Sequence, residues 1–239
     1  MQFVLVHGAW HGGWCWQAVS ERLCALGHAV HAPTLRGLSH RHAPEAAAVD
    51  VDAHVDDVCH LVEALDLRDV VLALHSYAGM LGPALLARLR PRISHIAWIE
   101  AMIPLPGQAL LDVIDPQVAA RYQQWVDEHG GGAWLPPPDV AQFHMQDARL
   151  AASVAERLTP HPWRTYTQAP TAYADPAPFS CSYLIANDRD PQPYTAFAAQ
   201  ARKSGWHVQD SSGGHLLMLT QPDAVARFLL HSISRDPTT

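Results

Sequence analysis

Short apolar runs alternate along this chain with longer amphipathic stretches. That alternation predicts an α/β fold, a mostly parallel sheet of about six strands flanked by helices. Two stretches carry most of the weight. "DVVLALH" (Asp69–His75) is almost wholly apolar, as a central strand buried on both faces must be. Between Asp50 and Leu65 the apolar positions Val51, Val55, Val58, Leu61, Val62 and Leu65 recur every three or four residues, the stripe of a helix lying on such a sheet.

The remaining elements follow in order. "FVLVH" (Phe3–His7) reads as the first strand, Trp14–Leu26 as a helix closed by "ALG", and "HAVHAP" (His28–Pro33) as a short strand stopped by proline. After Asp69–His75, "GMLGPALLARL" continues as a helix and "ISHIAWIEAMI" (Ile93–Ile103) as a strand. From Gly107 to about Pro178 the texture changes to prolines, "HGGGAWLPPP" and short helical pieces such as Pro116–Glu128 and Asp147–Arg157. The strand–helix rhythm then resumes with Cys181–Ala186, Tyr194–Ser204, Trp206–Ser211 and Asp223–Ser234. The division expected is therefore one core, residues 1–106 and 179–239, with residues 107–178 inserted as a mainly helical cap.

Composition narrows the function classes. With 239 residues, 49% hydrophobic and 16% charged, the chain can build a sizeable core in one domain, and only the tail "SRDPTT" has nothing to bury. A net charge of −7 argues against nucleic acid, and Arg88, Arg90 and Arg92 read as a solvated helix end. Four scattered cysteines lack CxxC spacing and fit reduced thiols. "MQFVLVHG" opens as a strand, and no apolar run is long enough to span a bilayer, so a soluble, cytoplasmic protein with no membrane partner is expected. The sixteen histidines form no metal-ligand spacing: HExxH is absent, His7 and His11 straddle Gly8, and His40 and His42 fall in a loop. No metal is expected.

Nucleophilic catalysis needs a serine, a base and an acid that orients the base, gathered beyond the carboxyl ends of parallel strands. Ser76 follows the strand Asp69–His75 and precedes a helix. Asp188 follows the strand ending at Ala186, and His215 follows the last strand in "SSGGHLLML". Two other acids compete for the orienting role: Asp190, two residues further on, and Glu100, at the end of "IAWIE". His75 reads as structural.

In "VLVHGAWHGGWCW" (Val4–Trp16), "HSYAGM" (His75–Met80), "LTPHPWRTYTQ" (Leu158–Gln168), "ANDRDP" (Ala186–Pro191) and "GGHLLMLTQP" (Gly213–Pro222) the chain resembles the α/β-hydrolase superfamily. Within it, the resemblance is to the branch of plant methylesterases, hydroxynitrile lyases and bacterial pyrethroid-type esterases. The resemblance implies Ser76 as nucleophile, His215 as base, Asp188 as acid, and the N–H groups of Ala9 and Tyr77 as the oxyanion hole. The serine turn of that superfamily is G-x-S-x-G, and here Leu74 and Ala78 stand at the glycine positions. Either the neighbours of Leu74 have shrunk or the turn is shifted. Leu216 stands where the lyases carry a lysine, so ester hydrolysis is implied rather than cyanide chemistry.

The function expected is hydrolysis of a small to medium apolar ester through an acyl-enzyme, with no cofactor. Trp10, Tyr77, Trp125, Trp134 and Phe143 are the expected substrate contacts. Two alternatives stay open: a cofactor-free dioxygenase using His215 and Asp188, and a catalytically inactive, receptor-like ligand-binding protein. The partner expected is a small apolar ester, with a homodimer left open.

Overall fold

The computed structural model describes residues 1–39, 47–187 and 193–233. His40, His42, Asp188, Asp190 and the tail from Ser234 lie outside the described residues. The six expected strands form one sheet: β1 (Gln2–Val6), β2 (Ala29–His31), β3 (Val70–His75), β4 (Ile93–Ile99), β7 (Cys181–Ala186) and β8 (His207–Ser211). They lie in the order β2-β1-β3-β4-β7-β8, and every pair is parallel. β3 sits between β1 and β4 with each of its residues buried, as its unbroken apolar run requires. The registers Val6↔Leu74, His75↔Ile99, Ile99↔Leu184 and Ala186↔Ser211 bring the carboxyl ends of five strands to one rim.

The helices are placed by their caps and stripes. α1 (Gln17–Ala25) begins as a 3-10 turn at Gly13–Trp16, one residue ahead of the predicted start. α2 (Val51–Ala64) buries Val51, Val55, Val58 and Val62 of the predicted stripe, and the Asp50 carboxylate accepts the Ala53 N–H at its start. The helix after β3 is split: a 3-10 segment covers Ser76–Leu81 and α3 covers Gly82–Leu89, with Pro83 in its first turn. β4 stops at Ile99, four residues short of the predicted strand, because Glu100 turns to φ 46°.

Between β4 and β7 lie α4 (Pro116–His129), β5 (Trp134–Leu135), α5 (Ala148–Ala155), β6 (His161–Pro162) and α6 (Arg164–Thr167). The Asp115 and Asp147 carboxylates cap α4 and α5, and β5 and β6 pair antiparallel. After β7 come α7 (Thr195–Lys203), α8 (Leu217–Thr220) and α9 (Pro222–Ile233). Among the described residues no helix is long and apolar enough to cross a membrane.

Candidate active site

Ser76 leaves β3 at φ 54°, the left-handed region that non-glycine residues seldom occupy. His75 before it is still extended, and the next five residues coil into the 3-10 turn. The strand therefore delivers the serine to the tip of a sharp turn. Its Oγ lies 2.9 Å from Nε2 of His215, which the loop between β8 and α8 presents. His75 fixes that loop: its Nε2–H donates to the backbone carbonyl of His215 at 2.9 Å. Burial holds the His75 imidazole neutral, with its pKa well below the ordinary value.

On the other side of the His215 ring, Nδ1 is 3.3 Å from Oε2 of Glu100, which is wholly buried. The second oxygen, Oε1, accepts the N–H of Ala186 at 2.8 Å. One carboxylate oxygen is thus tied to the end of β7 and the other faces the imidazole. Of the three acids the sequence offers, Glu100 is the one within the described residues; Asp188 and Asp190 lie outside them.

The loop after β1 closes the opposite side. A Cβ on Gly8 would stand 2.9 Å from Cβ of Ser76 and 2.8 Å from Nδ1 of His75, so the chain passes directly over the serine where no side chain fits. Nδ1–H of His7 donates to the Gly8 carbonyl at 2.8 Å, while its Nε2 accepts the Leu35 N–H at 3.1 Å. Because a trans peptide points its C=O and N–H in opposite directions, holding the Gly8 carbonyl also aims the Ala9 N–H. His11 holds the Ala9 carbonyl in the same way at 2.7 Å. Burial keeps both rings neutral, lowering His7 to about 3 and His11 to about 4. Trp10 follows at φ 63°, with its N–H directed at Nδ1 of His161 (3.4 Å), its indole N–H on the Leu135 carbonyl, and its own carbonyl accepting the Thr159 N–H.

Tyr77, first after the serine, has one of the opening N–H groups of a helical turn, which no carbonyl of that turn can reach. Its phenol donates to Nδ1 of His54 at 2.8 Å, and His54 in turn gives Nε2–H to the Arg36 carbonyl. Desolvation lowers His54 to about 4.

Ser76, His215, Ala9, Trp10, Tyr77 and Phe143 line one cavity of about 120 Å³, with Met102, Leu110, Ile114, Tyr122, Tyr166 and Tyr194. Three of the expected substrate contacts thus reach it. Trp125 and Trp134 do not: Trp125 packs against the core from α4, and Trp134 sits in β5 opposite Pro162. Tyr122, also on α4, is the aromatic that faces the cavity. Tyr194, which the sequence analysis does not single out, touches both Ser76 and His215. Its hydroxyl is 3.4 Å from Oγ of Ser76, and its ring stacks on His215 at 5.1 Å and 6°. The signal available was a polar aromatic opening the helix after β7.

One of the two missing glycines finds its explanation. Leu74 is fully buried, and the room for it comes from Gly82, where a Cβ would meet Leu74 Cδ1 at 2.9 Å and Trp98 Cη2 at 2.3 Å. The neighbour has shrunk, and the turn is kept. Ala78 is buried with no exposed surface.

A family model described as "Alpha/beta hydrolase family" matches residues 3–228. The chain belongs to that family. It is 33% identical over 239 residues to a carbendazim hydrolyzing esterase of Nocardioides sp. (strain SG-4G), covering 95% of this chain and 97% of that one. It is 29% identical over 165 residues to methyl jasmonate esterase 1 of Vitis vinifera, covering 66% of this chain and 61% of that one. Among solved structures, an extracellular α/β-hydrolase from a Paenibacillus species superposes with a TM-score of 0.82 at 22% identity, over 99% of this chain and 100% of the other. At that identity the likeness bears on the fold alone.

Proposed function

We propose that this α/β-hydrolase is a serine-dependent carboxylic ester hydrolase acting on small to medium apolar esters. The observation that carries the reading is the 2.9 Å contact between Ser76 Oγ and His215 Nε2 at a turn strained to φ 54°, beneath the Gly8–Ala9 loop. His215 takes the Ser76 proton as Oγ attacks the ester carbonyl, and the Ala9 and Tyr77 N–H groups bind the developing oxyanion. The alkoxide leaves with the proton from Nε2, and water then releases the acid from the acyl-enzyme by the same route. An acid at Nδ1 steadies the imidazolium: the resemblance gives that role to Asp188, and the 3.3 Å approach of Oε2 supports Glu100 in it. Trp10, Tyr77 and Phe143 contact the substrate, and residues 107–178 act as the cap over it.

The small cavity volume, and a lining without Asp, Glu, Lys or Arg among the described residues, support a neutral, compact substrate. The likeness to a carbendazim hydrolyzing esterase and to methyl jasmonate esterase 1 supports ester hydrolysis. We place the protein in the cytoplasm, a reading supported by four free cysteines, three of them buried. No cofactor enters this mechanism.

The test is intact-mass labelling with a fluorophosphonate, run beside hydrolysis of a short nitrophenyl ester. A single adduct and measurable turnover are expected, both abolished in Ser76→Ala and in His215→Ala. A folded wild type that takes no adduct would overturn the reading. Oxygen uptake that survives Ser76→Ala would point to the dioxygenase alternative instead.

A further inference from the structure

Given the ester-hydrolase reading, on which this rests, we infer that Tyr194 is a catalytic residue that hydrogen-bonds the departing alkoxide, so that the site is tuned to esters of simple alcohols. The sheet order assigns the sides of the reacting centre. Ser76 follows β3; the oxyanion loop follows β1, on one flank of β3. Glu100, Tyr194 and His215 follow β4, β7 and β8, all on the other flank. The carbonyl oxygen of a bound ester must point toward Ala9 and Tyr77. Its alkoxy oxygen must lie within reach of His215 Nε2, which has to protonate it, and so on the β7–β8 side.

Tyr194 is built into that side. Its ring lies parallel to the imidazole at 5.1 Å, and its hydroxyl is 3.4 Å from the same serine oxygen that Nε2 contacts at 2.9 Å. An atom bonded to the carbon that Oγ attacks, and close to Nε2, is flanked by the Tyr194 hydroxyl. At 3.4 Å the resting contact with the serine is a long, weak hydrogen bond. A donor that binds an alkoxide more strongly than it binds the neutral serine hydroxyl stabilises the transition state more than the ground state.

The step balances without a further reagent. The Oγ–C bond forms as the serine proton passes to His215 Nε2. The C–O bond to the alcohol then breaks, that proton moves from Nε2 to the alkoxide, and Tyr194 keeps its own proton while donating. A nitrophenolate is stable as it leaves and needs no such donor, whereas methoxide is strongly basic and does.

Tyr194→Phe keeps the ring and removes only the oxygen. The experiment compares kcat/KM of wild type and Tyr194→Phe on the methyl and p-nitrophenyl esters of one apolar acid, with thermal melts of both proteins. A fall of about 10- to 100-fold on the methyl ester, with the nitrophenyl ester changed less than about twofold, is expected. An equal fall on both esters would overturn the proposal and leave Tyr194 as a support for Ser76 and His215. No change on either would overturn it too. A wild type that cleaves neither ester and takes no fluorophosphonate marks failure of the esterase reading itself, a separate result.

Discussion

Replacing Glu100 with glutamine tests its role as the acid that orients His215, with almost no change of shape. Oε1 of Glu100 accepts the Ala186 N–H at 2.8 Å, so the amide must keep its oxygen there and turn its NH₂ toward His215 Nδ1. Where Glu100 is the acid on Nδ1, that nitrogen can then only accept, and the imidazole proton is forced onto Nε2. A protonated Nε2 cannot take the Ser76 proton. The lost charge adds to this: at 3.3 Å and an effective dielectric of about 20, the carboxylate–imidazolium attraction is about 5 kcal/mol. That corresponds to roughly 10³- to 10⁴-fold in rate, the scale seen when a triad acid is neutralised. The assay is the second-order rate of fluorophosphonate labelling of Ser76, with nitrophenyl ester kcat/KM alongside and urea unfolding as the control for folding. Glu100→Gln is expected to lose at least about 10³-fold in both rates while staying folded. A folded Glu100→Gln that keeps a tenth of the wild-type rate would refute the reasoning, and the same assay on Asp188→Asn would then locate the acid.

Two further expectations concern stability. Gly82→Ala places a methyl 2.3 Å from Trp98 Cη2 and 2.9 Å from Leu74 Cδ1, and Trp98 is itself fully buried against Trp206. A loss of about 1–3 kcal/mol by urea unfolding is expected, and a smaller loss when the same change is made in a Leu74→Ala background; strictly additive losses would refute the compensation. Acid should also weaken the fold. His7 is lowered from 6.5 to about 3, and His11 and His54 to about 4, so the unfolded chain takes up protons that the folded chain refuses. Their contribution is complete above pH 6.5 and is lost as pH falls toward 4 and then 3; at pH 5 each costs up to about 2 kcal/mol. Equal urea midpoints at pH 7 and pH 5 would count against neutral, buried imidazoles.

The fold was legible because its signals are periodic. The six strands of the main sheet lie where apolar runs and their stops put them, and a continuous run such as "VVLALH" has few other uses. Boundaries slipped where a single backbone angle decided them, as at Glu100, because one residue in the left-handed region leaves no mark on hydrophobic pattern. Between β4 and β7 the two-residue strands β5 and β6 are too short to alternate, so pattern could not announce them. The serine and histidine could be named from their positions after strands. The acid could not be singled out, since three carboxylates follow β4 or β7 and the choice turns on which side chain reaches Nδ1. Aromatic substrate contacts were least legible: Tyr122 and Trp125 share α4, and composition says only that some aromatics there face the cavity.

Three of the six non-glycine residues with positive φ among the described residues gather at one rim: Ser76 and Glu100, at 54° and 46°, directly follow β3 and β4, and Trp10, at 63°, lies in the loop after the neighbouring β1. A chain leaving a parallel strand toward its covering helix carries its side chains away from the rim, and a left-handed residue turns one of them back across it. Each such residue costs about 1–3 kcal/mol unless its surroundings hold it. Here they do. The Glu100 N–H is bound to the Leu184 carbonyl at 2.8 Å, and the Ser76 carbonyl receives the Met102 N–H at 3.4 Å. Trp10 is gripped by Thr159, His161 and Leu135, all from the segment between β4 and β7. That segment therefore does more than line the cavity: it fixes the residue after Ala9, and with it the loop that carries the Ala9 N–H. Changes in this segment that loosen His161 or Thr159 should lower kcat before they alter substrate choice, since they act on the oxyanion loop first and on the cavity wall second.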